Sequence, residues 1–187
     1  MSIGFIGSGN MATAIIKGII KSKTVEENEI NVFDVYAPAV EKLTAEYKIN
    51  KCESECDVVS SSDAVILAVK PNVLPQVLNK INTTLEESDT LLISIAAGKS
   101  TEFIRGALSH NNRIIRVMPN INATVSEAMC AYTANADATE ADKQTAEAIF
   151  SGVGKVMYLD ENYFPLFGVI GGCGPAFAYM FIDAMAR

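Results

Sequence analysis

The chain has 187 residues, with 15 Lys and Arg against 22 Asp and Glu, which gives a formal net charge of −7. Hydrophobic residues make up 49% and charged residues 20%, and these proportions exclude a disordered chain. The acidic balance argues against nucleic acid or an anionic membrane as a partner. The apolar runs end before the roughly 18 residues of a membrane helix, and the N-terminus lacks a signal-peptide pattern. We therefore expect a cytoplasmic protein with reduced cysteines.

Short apolar runs and helical periodicities alternate along the first part of the chain. Strands are predicted at 3–6, 29–34, 64–69, 90–95 and 113–118, and helices at 11–19, 39–47, 73–81 and 101–108. Glycine or proline ends several of these strands, as Gly7, Pro71 and Pro119 do. Strands that alternate with helices predict a doubly wound, Rossmann-type parallel sheet with helices on both faces.

The last third of the chain is less regular. Strands are predicted at 129–133 and 154–159, with a helix at 140–150 between them. A cluster of glycines then precedes Pro175, and an apolar helix runs from there to Arg187. The change in character predicts a nucleotide-binding domain over residues 1–161 and a second, helical domain over 162–187. Because the chain ends inside this helix, we expect the second domain to be incomplete.

The turn after the first strand has the pattern G-x-G-x-x-A, formed by Gly7, Gly9 and Ala12. Between a strand and a helix, this pattern is typical of dinucleotide binding. Gly7 allows the tight turn, and Gly9 lets the backbone approach a pyrophosphate at the positive end of the helix. The alternative is a glycine turn that binds no ligand.

Asp34 ends the second predicted strand, at the distance where an acid binds the ribose 2′-hydroxyl of NAD. Its carboxylate would repel the 2′-phosphate of NADP, and Val35 offers that phosphate no cation. The cofactor is therefore NADPH or NADH, with NADH slightly favoured. The alternative is a solvated carboxylate at a turn.

Five segments together resemble the pyrroline-5-carboxylate reductase family over the whole chain. They are GFIGSGNMATAI at 4–15, AVILAVKP at 64–71, SIAAG at 94–98, RVMPN at 116–120 and GGCGPAFAY at 171–179. The resemblance implies NAD(P)H-dependent hydride transfer to a cyclic imine, which gives L-proline in the last step of proline biosynthesis. It also implies a Rossmann-type domain followed by an all-helical dimerisation domain, and hence a homodimer or higher homo-oligomer.

Candidate residues fall into two parts of a site. Asp34, Gly174 and Ala176 follow from their own positions in the sequence, and the resemblance implies the others. Cofactor-binding positions are Gly7, Ser8, Gly9, Asn10, Met11, Asp34, Ala68, Val69, Lys70, Pro71, Ala96 and Ala97. Substrate-binding positions are Asn120, Glu161, Gly174 and Ala176, the last two through open N–H groups at the start of a helix. No catalytic residue is identified, because a protonated imine accepts hydride without a dedicated acid.

Other reactive side chains give weaker indications. Lys70 is a candidate proton donor, although a solvated or ion-paired side chain fits its position better. His110, the only histidine, lies in a polar turn without a catalytic partner, and the spacing of Cys52 and Cys56 does not indicate a metal site. Cys173 precedes a predicted helix and is either reactive or a small packing residue.

Two other functions remain open from the sequence. One is a dinucleotide-binding sensor or scaffold that keeps the fold without turnover. The other is a β-hydroxyacid-type dehydrogenase, although that family's lysine on a downstream helix is not found in this chain.

Overall fold

The computed structural model describes all 187 residues and contains one eight-stranded sheet. The strands are β1 (Ile3–Ile6), β2 (Ile30–Phe33), β3 (Asn50–Lys51), β4 (Ala64–Leu67), β5 (Leu91–Ser94), β6 (Ile114–Met118), β7 (Ala128–Ala134) and β8 (Gly154–Tyr158). Their order is β3-β2-β1-β4-β5-β6-β7-β8. All neighbours are parallel except β6 and β7. The predicted Rossmann-type fold is confirmed.

Helices cover both faces of the sheet. They are α1 (Asn10–Ser22), α2 (Ala37–Glu46), α3 (Glu55–Ser60), α4 (Leu74–Glu86), α5 (Thr101–Gly106) and α6 (Glu140–Ser151). Successive strand residues point to opposite faces, so Phe5 and Ile6 of β1 enter different cores. Phe5 belongs to the core under α1, α2 and α6, and Ile6 to the core under α3, α4 and α5.

Two features of the sheet differ from the sequence prediction. The short β3 and α3 were not predicted, and β7 runs antiparallel to β6 although a parallel sheet was expected. A parallel connection needs about a dozen residues or more to cross over. Residues 119–127 are too few for that and contain only the 3₁₀ turn Ile121–Val125, so the chain reverses direction.

The end of the chain is one continuous helix, Glu161–Ala186, called the C-terminal helix below. It comprises a 3₁₀ turn (Glu161–Tyr163), α7 (Phe164–Phe167), a π-helical turn (Gly168–Cys173) and α8 (Gly174–Ala186). The prediction that a helix begins only at Pro175 is therefore wrong. Pro175 lacks the N–H that would bond to Gly171 four residues earlier, and its ring crowds that turn. The wider π turn accommodates the proline within the helix.

The C-terminal helix is long and apolar enough to cross a membrane by length and composition alone, with a mean hydropathy of 1.5 in its most apolar window. The expectation that no segment meets this criterion is therefore wrong. The helix is exposed over most of its length, and only Phe164 is buried. Its large apolar side chains face outward, including Phe177 at 68% and Met180 at 70% exposure.

Candidate cofactor and substrate site

The turn between β1 and α1 requires glycine at its first position. Gly7 has φ +103°, and a Cβ atom there would lie 2.6 Å from the carbonyl oxygen of Ala68. The Gly7 N–H donates to the Phe33 carbonyl at 2.8 Å, which ties the turn to the end of β2. The turn is thus fixed between β2 and β4, at the carboxyl ends of the strands.

Gly9 has a different role in the same turn. It is the N-cap of α1, and no side chain caps the helix. A Cβ atom on Gly9 would meet no atom within 4 Å. The first N–H groups of α1 therefore face open space, and with the helix dipole they form a site for an anion.

Two cavities adjoin this helix end and share Gly9 and residues 68–70. The β6 cavity, of about 390 Å³, is lined by residues 9–12, 68–71, 95–97 and 116–119. The β2 cavity, of about 490 Å³, includes Gly7, residues 33–35, Val73 and Lys80. Of the predicted cofactor-binding residues, all but Ser8 line one of these cavities. The predicted cofactor-binding residues, apart from Ser8, therefore lie together around one crevice at the carboxyl ends of the strands.

A further cavity, of about 640 Å³, lies at the opposite edge of the sheet, around Ser2, Asp63 and Arg113. Its charged groups are already paired. The Asp63 carboxylate accepts from the Ser2 N–H at 2.7 Å, and Arg113 bonds to Asp89 and Asp142. In open α/β sheets ligands bind at the carboxyl ends of the strands, so the crevice beside Gly9 is the better candidate site.

Asp34 connects the end of β2 to the glycine turn. Its Oδ2 atom accepts from the Ser8 N–H at 2.6 Å and from Ser8 Oγ at 2.9 Å, and Oδ1 accepts from the Tyr36 N–H at 2.9 Å. Ser8 is buried by this contact. Asp34 therefore stabilises the turn in addition to lining the β2 cavity.

Lys70 is exposed, lines both cavities and forms no ion pair. The sequence left open whether Lys70 is a proton donor or has a solvated or ion-paired side chain. In the structure its side chain lies in solvent beside the crevice. His110 is remote and pairs with Glu86 at 2.9 Å. The four cysteines are free, and Cys173 is exposed on the π-helical turn.

The four predicted substrate-binding residues do not line the β6 cavity. Gly174 and Ala176 lie within the C-terminal helix, so the expectation of open N–H groups at a helix start there is wrong. Asn120 is buried and donates through Nδ2 to the Gly171 carbonyl at 2.9 Å, while its Oδ1 is buried without a partner. The Glu161 carboxylate also accepts hydrogen bonds from other residues of the protein.

Arg116 is the residue that sequence reasoning missed. It is 7% exposed, lines the β6 cavity, and donates from Nη1 to Glu161 Oε1 at 2.9 Å. Its guanidinium lies 4.4 Å from the ring centre of Phe164. A charged residue inside the otherwise apolar strand IIRVM was the signal available from sequence, since such residues are rarely buried without a partner.

Glu161 receives three hydrogen bonds. Besides Arg116, the Thr101 N–H donates to it at 2.9 Å and Thr101 Oγ1 at 2.7 Å. Partial burial is the largest single effect and raises the pKa of Glu161, but the hydrogen bonds from Thr101 and Arg116 together outweigh it and lower the pKa. The ionised form therefore stabilises the fold at neutral pH, and this contribution is lost as the pH falls through the lowered pKa.

A glycine turn that opens an uncapped helix onto a crevice in a doubly wound sheet defines a dinucleotide-binding protein. Residues 2–98 match the family model described as NADP oxidoreductase coenzyme F420-dependent. The chain is 40% identical to pyrroline-5-carboxylate reductase of Methanosarcina acetivorans over 98% of its own length and 68% of that protein. It therefore belongs to the pyrroline-5-carboxylate reductase family, as the sequence resemblance indicated.

Solved structures agree with this placement. The chain superposes with a TM-score of 0.93 on a pyrroline-5-carboxylate reductase of Coxiella burnetii, at 29% identity over 98% of this chain and 68% of that one. It superposes with a TM-score of 0.87 on the Plasmodium falciparum pyrroline carboxylate reductase with NADP bound, at 28% identity over 98% and 67%.

Proposed function

We propose that the crevice holds a reduced nicotinamide dinucleotide in an extended form, with its pyrophosphate at the amino end of α1. As a member of its family, the chain is an NAD(P)H-dependent oxidoreductase of proline biosynthesis that acts on the C=N bond of pyrroline-5-carboxylate. The observation that supports this arrangement is the uncapped helix end at the junction of the two cavities. The nicotinamide and the imine then lie in the β6 cavity, and the adenosine lies in the β2 cavity.

The bound cofactor supplies the hydride, and the chain supplies placement. Ala96 and Val117 are buried and give the β6 cavity apolar walls. Its only ionisable side chains are Lys70 and Arg116. The imine arrives protonated on nitrogen, hydride adds to its carbon, and the C=N electron pair becomes the amine lone pair. Because the imine is already protonated, its reduction requires no acidic side chain beside it.

The assay that tests this function is proline formation from pyrroline-5-carboxylate with NADH and with NADPH, alongside fluorescence titration of each cofactor. Turnover establishes the reductase. Tight cofactor binding without turnover would instead favour the sensor or scaffold function. Oxidation of a β-hydroxyacid in place of imine reduction would favour the dehydrogenase.

We propose that Lys70 attracts the cofactor pyrophosphate and is not a proton donor. It is the unpaired cation at the junction of the two cavities. Lys70→Met should weaken NADH binding by about fivefold, which corresponds to roughly 1 kcal/mol for an exposed charge pair, while the turnover number changes less than about twofold. Lys42→Met, at an exposed lysine of α2 that forms no ion pair and lines neither cavity, is the matched control. A large loss of turnover, by about two orders of magnitude and with a shifted pH profile, would show that Lys70 donates the proton.

We propose that Asp34 makes NADH the tighter-binding cofactor. A carboxylate about 4 Å from a 2′-phosphate costs on the order of 1–4 kcal/mol near a surface. The dissociation constant for NADPH should therefore exceed that for NADH, and Asp34→Ser should narrow the difference. Because Asp34 also holds Ser8, this variant should weaken both cofactors somewhat. Equal or tighter NADPH binding by the unmodified protein contradicts the proposal.

We propose that residues 1–161 form the nucleotide-binding domain and that residues 162–187 begin a helical domain at a homodimer interface, in a cytoplasmic protein. Support comes from the exposed apolar side chains of α8. Sedimentation velocity should show a dimer that Met180→Glu dissociates and that Lys143→Glu leaves intact. Flotation of the unmodified protein with lipid vesicles would identify the C-terminal helix as a membrane segment instead.

A further inference from the structure

The C-terminal helix is attached to the nucleotide-binding domain along β6 and the residues that follow it. Every second residue of this stretch contacts the helix: Arg116, Met118, Asn120 and Asn122. Their partners on the helix are Glu161, Gly168, Gly171 and Tyr179 in turn, so the contacts follow the same order along both segments. These contacts are called the β6 contact row below.

The first contact of the row is the strongest. The Glu161 carboxylate accepts from Arg116 on β6 and from the backbone and side chain of Thr101 at the start of α5. Arg116 then covers the ring of the fully buried Phe164 with its guanidinium. Charge-assisted hydrogen bonds and a cation–π contact thus fix the first turn of the helix from two elements of the domain.

The next contacts lie at the π-helical turn. A Cβ atom on Gly168 would be 3.5 Å from Met118 Sδ, so the helix backbone passes close to that side chain. The Gly171 carbonyl has no N–H to accept from at Pro175, and Asn120 Nδ2 supplies a donor in its place. Tyr179 then donates to Asn122 Oδ1 at 2.5 Å, further along α8.

The contact row adjoins the crevice. Arg116, Met118 and Pro119 line the β6 cavity, and the neighbouring residues of the same stretch hold the helix. A movement of the helix therefore requires a movement of the wall of this cavity. The Glu161 carboxylate and Asn120 Nδ2 are both bonded to other residues of the protein, and neither residue lines the cavity.

We propose that Arg116, Glu161 and Asn120 are positioning residues for imine reduction. They hold the C-terminal helix along β6 and thereby fix the wall against which nicotinamide and imine are placed. This inference rests on the proposed function, because it assumes that both groups react in the β6 cavity.

The test combines hydrogen exchange with kinetics on the full chain. In Glu161→Gln, one side-chain oxygen becomes an NH₂ group that faces donors from Thr101 and Arg116. Amide exchange over residues 164–176 should accelerate about tenfold or more, with exchange in α1 unchanged and the NADH dissociation constant within about threefold. The kcat for pyrroline-5-carboxylate should fall about tenfold, whereas KM for the cofactor stays near its original value. Asn120→Ala should likewise accelerate amide exchange over residues 168–176.

Matched variants separate positioning from general damage. Thr101→Ser keeps the hydroxyl donor to Glu161 and should behave as the unmodified protein, while Thr101→Val removes it and should resemble a weaker Glu161→Gln. Glu46→Gln removes an exposed carboxylate paired with Lys17 and should change neither measurement. Unchanged exchange in Glu161→Gln overturns the proposal, and so does accelerated exchange with an unchanged kcat. An unmodified protein that binds NADH without turnover contradicts the proposed function, and exchange still shows whether these contacts hold the helix.

Discussion

Replacing Gly9 by valine should lower the affinity for NADH about 100-fold or more while the protein stays folded. Gly9 has φ −67° and ψ −177°, which valine adopts without strain, and its side chain would meet no protein atom within 4 Å. The added methyl groups would instead occupy the space in front of the α1 N–H groups, where the pyrophosphate is proposed to bind. A loss of about 100-fold corresponds to about 2.7 kcal/mol of binding.

Fluorescence titration measures this loss, and circular dichroism with urea unfolding checks the fold. Gly106→Val is the control, because Gly106 also has open space around it but lies at the end of α5, away from both cavities. Unchanged NADH binding in Gly9→Val would place the pyrophosphate elsewhere in the molecule.

Gly18→Val should destabilise the protein by about 3 kcal/mol through a contact far from the crevice. Gly18 of α1 and Gly152, just after α6, touch backbone to backbone. A Cβ atom on Gly18 would lie 2.8 Å from the Gly152 carbonyl oxygen, and one on Gly152 would lie 2.7 Å from the Gly18 carbonyl oxygen. Backbone cannot yield as a side chain does, so α1 and α6 must separate and lose packing on the core.

Urea unfolding should show a lower midpoint for Gly18→Val with an unchanged slope, because the exposed surface on unfolding is the same. Gly106→Val again serves as the control and should shift the midpoint little. A loss below about 1 kcal/mol would mean that the two helices tolerate separation at this crossing.

Much of the nucleotide-binding domain could be predicted from the sequence because its signals are local. The apolar runs of β4 and β5 are long enough to identify, and the glycine turn carries its ligand chemistry in three residues. The two-residue β3 and the six-residue α3 are too short to show a periodicity. The direction of β7 depends on the length of a connection, which hydrophobic patterns do not report.

The substrate side could not be predicted because its contacts join distant parts of the chain. Arg116 and Glu161 are 45 residues apart, and Asn120 and Gly171 are 51 apart. The glycines that precede Pro175, and Pro175 itself, predict the end of a helix. The helix continues because of the π turn and the hydrogen bond that Asn120 donates. Asp34 illustrates the same limit, since its spacing predicted a position at the end of β2 but did not reveal its bonds to Ser8.

The central place of β1 in the sheet affects how the chain assembles during synthesis. Ile3 pairs with Ile30 on one side and with Ala64 on the other, so β1 is synthesised before both of its neighbours and waits for them. At about 5–20 residues per second, the second neighbour follows the first by roughly 2–7 seconds. During that interval one edge of β1 is open to pairing with other nascent chains, a hazard typical of exposed strand edges. The emergence of β4 closes this open edge of β1.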